Sequence, residues 1–197
     1  MNITIFVIVV GLFVLYINQI NVVYTLKDKI YLYLFNGLSI LFMLIFLYYS
    51  IFYGFKRGLF TTFLIWCLFV AATPIPEAGL LVSIPLKNIL NIDLGTTQIF
   101  VSFFALMFLL VVYFKFRQYL EKTPYGMILI RIMDFGSFSI FVTSILASIS
   151  LSYLINEGID FVVFKKKMNM YINAWLGLWF IILLWIYVYL LNRFYSR

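Results

Sequence analysis

The carboxylate in the most reactive setting is Glu77, in Thr73-Pro74-Ile75-Pro76-Glu77-Ala78-Gly79, followed by Leu80-Leu81-Val82-Ser83-Ile84-Pro85. Three of the chain's four prolines fall in these thirteen residues. Proline has no N–H and interrupts helical hydrogen bonding, so upstream carbonyls lose their donors. An acid beside such a break can bind a cation or relay a proton, provided that protein or water covers the irregular backbone. Thr73, Glu77 and Ser83, with the carbonyls of Ala71 and Ala72, form the candidate solute or cation site. A plainer arrangement fits the same residues. Thr73 caps a short surface helix, Pro74 and Pro76 occupy its first turn, and Glu77 is solvated at its positive end. The segment after the third span is therefore expected to be re-entrant or interfacial.

A second acid, Asp134, follows Arg131 by three residues and abuts an apolar run. This spacing suits an ion pair along one helix, with a proton relay as the alternative. Asp134 and Arg131 form the secondary candidate site. Glu157 and Asp160 flank a glycine before Lys165-Lys166-Lys167 and read as solvated loop charges. A third pattern is made of small residues. Ser144, Ser148 and Ser152 recur every four residues, as do Ser139, Thr143 and Ala147. On a helix these rows adjoin, giving a small, weakly polar face for close packing. A polar solute path along the serines is the sharper alternative.

Absences exclude other chemistry. Without histidine, there is no His-ligated haem, no His-containing metal site and no histidine-dependent nucleophile. Cys67, the single cysteine, lies in an apolar run and has no partner for an internal disulfide. Neither paired carboxylates nor an Arg/His phosphate cluster appears, so the chain is read as non-enzymatic and without cofactors.

The string Thr73-Pro74-Ile75-Pro76, followed by Leu80-Leu81-Val82 and Ser83, resembles the Thr-Pro-Gly-Pro helix break of LysE/RhtB-type amino-acid exporters, which are also small six-span proteins. The resemblance covers about a dozen residues. It departs in three respects: the family's break lies in its first span, Ile75 stands in place of its glycine, and its second-half Asn-Pro-Lys element is absent. It implies shared helix-breaking chemistry rather than membership.

The elements that must carry these residues are apolar. Of 197 residues 65% are hydrophobic and 11% charged, against about a quarter charged in soluble domains. That excess needs lipid as solvent. We expect an all-α integral membrane protein, a single polytopic domain over 1–197. Its bundle of about six transmembrane helices has spans near 3–24, 30–55, 58–72, 95–114, 135–155 and 171–191. The residues around Arg131 fit either a helix at the interface or an extension of the fifth span with a snorkelling arginine.

A net charge of +7 is spread through loops beside these spans, which suits anchoring at headgroups rather than nucleic-acid binding. Lysine and arginine counts place both termini inside; a bacterial inner membrane is expected, and an organellar membrane also fits. The proline stretch would then face outward. The expected partners are membrane lipids and either further copies of the chain or other membrane subunits. The expected function is movement of an ion or small solute through an oligomeric helical bundle. The alternative is a non-catalytic integral subunit that scaffolds partners or lipids.

Overall fold

A computed structural model describes residues 29–76, 82, 94–164 and 169–196. The expected first span, 3–24, lies outside these residues, as do Glu77 and Ser83 of the proline stretch. All regular structure among the described residues is helical: α1 (Lys29–Tyr53), α2 (Phe55–Ala72), α3 (Leu94–Lys115), α4 (Arg117–Leu120), α5 (Pro124–Asp134), α6 (Ser139–Phe164) and α7 (Met170–Tyr195). Four of these include stretches long and apolar enough to cross a bilayer: Asn36–Tyr53, Phe55–Ala72, Gly95–Lys115 and Met170–Tyr195. The bent pair α5 and Ser139–Ile155 makes a fifth if counted as one span. Over the described residues the protein is thus all-helical, with four or five membrane-length helices.

Two compact units are present, one ending at Phe63 and one beginning at Leu64, so the division falls inside α2. In the first unit, α1 and α2 are joined by one residue. Gly54 adopts φ 85°, a left-handed conformation open to glycine at little cost, and its N–H bonds the Ser50 carbonyl at 3.1 Å. The expected loop at Lys56-Arg57 is instead the first turn of α2, which makes this helix 18 residues long.

In the second unit, α3, α6 and α7 pack through apolar and small side chains. Along α3 the buried seam runs Gln98, Val101, Ser102, Ala105, Leu109 and Val112, the three-and-four spacing of one helix face. On α6 it runs Ile140, Phe141, Ser144, Ala147, Ser148 and Ser152. Gly95 lies so close to Tyr153 that a Cβ there would come within 2.6 Å of the ring. This is the close approach that small residues permit between membrane helices.

Two element boundaries differ from the sequence expectation. The fifth span starts at Ser139 rather than 135, because α5 ends in a glycine cap. Gly136 has φ 65°, its N–H bonds Met133 O at 3.2 Å, and the Ser137 N–H bonds Ile132 O at 3.0 Å. This paired pattern closes a helix with a left-handed residue and turns the chain. The axes of α5 and α6 consequently differ by 104°. At its other end α6 continues through Asn156-Glu157-Gly158 to Phe164. One interior glycine costs a helix only about 1 kcal/mol, less than unpaired backbone in an apolar setting.

Candidate functional site

Of the first candidate site, Thr73 lies in the described residues, at the end of α2. Its hydroxyl donates to Phe69 O at 2.6 Å and its N–H to the same oxygen at 3.2 Å. This closes the last turn of α2, while the lone pairs of the hydroxyl oxygen stay able to accept. The Ala72 carbonyl is not free either: the Tyr187 hydroxyl of α7 donates to it at 2.5 Å. Tyr187 stands seventeen residues after Met170 and eight before Tyr195. At about 1.5 Å per residue, this is about 25 Å along a helix of about 39 Å. So α2 ends against the body of α7, away from both of its tips. Beyond it Pro74 is half-buried, Ile75 exposed and Pro76 buried.

The secondary candidate is assembled differently from the expected local pair. Asp134 pairs with Arg117 rather than with Arg131. Arg117 Nη2 lies 2.6 Å from Asp134 Oδ2 and Nη1 3.3 Å from Oδ1, a bidentate contact. The Tyr113 hydroxyl donates to Asp134 Oδ1 and accepts from Arg117 Nη1 at 3.3 Å. The guanidinium also sits 5.4 Å over the Tyr113 ring and 3.8 Å from the Glu121 carboxylate. Its hydrogen bond with Asp134, then the carboxylate's charge, pushes Arg117 above its already high pKa, so the cation persists. Half-exposed ion pairs contribute little singly, but a bidentate pair within a network holds a fixed geometry. This network ties the end of α3 to the end of α5.

Helix α5 is seated from its other end too. The Thr123 side chain caps it, accepting the Gly126 N–H at 3.1 Å, with Pro124 in the first turn. Leu129, Ile130 and Ile132 are buried, whereas Met127, Ile128 and Arg131 are exposed. Arg131 is held by two rings, 5.8 Å from Phe135 and 5.4 Å from Phe194 near the end of α7. Exchanging the charges of the α3–α5 link tests its directionality. Asp134→Arg alone places two guanidinium groups together and should lower the melting temperature in detergent by several degrees. Arg117→Asp with Asp134→Arg should recover most of that loss. A double variant no better than the single one would show that the pair has no net coupling.

The small-residue stripe divides. Ser144, Ala147, Ser148 and Ser152 are fully buried, Thr143 is half-buried and Ser139 is exposed. Most of these hydroxyls bond back to their own helix: Thr143 to Ser139 O, Ser148 to Ile145 O and Ser152 to Ile149 O. The bridge to α3 comes from Gln98, a residue the sequence reading passed over. Its amide donates to Ser148 Oγ at 3.3 Å and to Ser102 Oγ at 3.2 Å, all three side chains being buried. A glutamine inside an apolar span was the available signal. Glu157, expected in a loop, lies on α6 and accepts a hydrogen bond from the Asn173 amide of α7 at 2.9 Å. Among the described residues no cluster of three or more Cys, Asp or Glu side chains is placed to hold a metal ion.

Among the described residues the fold is all-helical, with four or five helices long and apolar enough to cross a membrane, and α2 ends two residues before Pro74. No protein-family model, curated protein or solved structure matches the chain.

Proposed function

We propose that the protein moves a cation or a small solute across the membrane, with the proline break after α2 as its site and Glu77 as the group that handles charge. The observation that carries this reading is the hydrogen bond from Tyr187 to the Ala72 carbonyl. The bond joins the end of α2 to α7 eight residues, about 12 Å, before the helix ends at Tyr195, and in this reading that point lies inside the bilayer's apolar core. Irregular backbone at such depth needs protein or water to cover it, and buried Pro76 and the Tyr187 hydroxyl supply part of that cover. Glu77 follows Pro76 directly. In this reading its carboxylate, the Thr73 hydroxyl oxygen and Ser83 offer oxygen ligands of the kind hard cations and protons use. In this reading the serine stripe of α6 serves packing: Thr143, Ser148 and Ser152 donate to carbonyls of their own helix, and Ser148 also accepts from Gln98.

The test is flux of protons, sodium and potassium into sealed proteoliposomes holding the purified chain, read with ion-sensitive dyes. Wild-type flux above that of empty vesicles supports the proposal. Flux equal to empty vesicles for every cation and for a panel of small amino acids removes it.

A second reading, a scaffolding subunit of a larger assembly, is favoured by α7. Tyr171, Trp175, Trp185 and Tyr195 are each 72–84% exposed, and their distribution along the whole helix leaves a long aromatic surface for lipid or for other subunits. Co-purification in mild detergent with a constant stoichiometric set of partners would decide for it.

A further inference from the structure

We infer that the exposed side of α5 is a binding site for one anionic phospholipid of the surrounding bilayer, with the phosphate on Arg131 and an acyl chain in the groove beside it. The argument begins with orientation. With α6 taken as crossing the bilayer, a helix turned by 104° from it lies close to the membrane plane, where amphipathic helices meet headgroups and the first carbons of acyl chains. Along its outer side runs an open groove of about 450 Å³, lined by Met127, Ile128, Ile130, Arg131, Asp134 and Phe135.

Charge gives the site its sign. Asp134, the groove's one acid, has both oxygens engaged by Arg117 and Tyr113. Arg131 makes no ion pair with a carboxylate among the described residues. Its guanidinium rests instead between the Phe135 and Phe194 rings. Rings hold a guanidinium by its face and leave its N–H edge, the part that forks onto phosphate oxygens, unspent. The site therefore combines a pre-positioned donor edge with an apolar trough at headgroup level. A free phosphate would leave the trough empty, and a neutral lipid would forgo the net attraction.

The experiment is native mass spectrometry of the full-length protein in mild detergent, titrated with phosphatidylglycerol or phosphatidylcholine of identical chains. Wild type should retain one phosphatidylglycerol in preference to phosphatidylcholine. Arg131→Gln should reduce that preference roughly fivefold, the scale of one basic residue's attraction for an anionic headgroup. Arg131→Lys should keep part of it, and Lys122→Gln, a cation outside the groove, should leave it unchanged. Ile128→Trp fills the trough without altering charge and should also weaken retention, so the proposal stays testable if Arg131→Gln misfolds. Equal retention of the two lipids by wild type, unaltered preference in both Arg131→Gln and Ile128→Trp, or displacement of the lipid by millimolar inorganic phosphate would each overturn the assignment.

Discussion

Glu77→Gln is expected to reduce cation flux through proteoliposomes to the level of empty vesicles while protein yield and melting temperature stay those of wild type. The exchange keeps size and shape, turns one acceptor oxygen into a donor amide, and removes the negative charge and the ability to take up a proton. It therefore separates the two settings that the proline stretch allows. A carboxylate solvated at the membrane surface loses little when neutralised, because water screens it. One at membrane depth is the dominant local charge, and without it a dehydrating cation has only neutral oxygens to meet. Glu77→Asp, which keeps the charge but withdraws it by one methylene, should show intermediate flux. Unchanged flux in Glu77→Gln at normal protein level would sink the proposed role of this residue.

Gly126→Val is expected to destabilise the protein by about 3 kcal/mol, at the upper end of overpacking costs, and to lower its melting temperature by roughly 6–12 °C. Gly126 is buried at the start of α5, against the chain that enters it. A Cβ at this position would lie 2.5 Å from Leu120 Cα and 2.7 Å from the Leu120 carbonyl carbon. Backbone cannot swing aside as a long side chain can, so α4 and α5 must separate. Leu120 and Leu129, both fully buried, would then lose part of their packing. Gly177→Val is the matched control, since a Cβ at Gly177 meets nothing within 4 Å. Equal melting temperatures for the two variants would show that α5 is not clamped to the turn before it.

These residues also show what a sequence reading reaches and where it stops. The apolar runs over α1, α2, α3 and α7 are legible because lipid imposes one crude requirement, length without charge. The four-residue rhythm of Ser144, Ser148 and Ser152 is legible because helical geometry alone puts these residues on one face. The partner of Asp134 is not. Arg131 stands at the right local spacing, yet the chain turns at 116–123 and brings Arg117 in from seventeen residues away, where its fork meets the carboxylate. Arg131 is left to aromatic rings, one of them Phe194 near the far end of the chain. Gly158 misled in the opposite direction. As a turn residue it suggests a helix end, but in an apolar setting keeping the backbone bonded outweighs the cost of one glycine. Tyr187 gave no signal at all among fifteen tyrosines. Its role depends on where α2 stops, which no local pattern encodes.

The glycine cap between α5 and α6 also sets a phase. Four residues, 135–138, join two helices whose axes differ by 104°, and the buried faces of both are already assigned. Each helical residue advances the face by about 100°, so one extra residue in this joint would rotate the α6 stripe away from α3 if α5 stayed seated. Ala147 would then take the place of Ser148, and the Gln98 amide would lose its bond to α6 and keep only the one to Ser102. Length changes here are therefore tolerated only near whole turns of helix, so this short connection is held to a count of residues more strictly than to their kind.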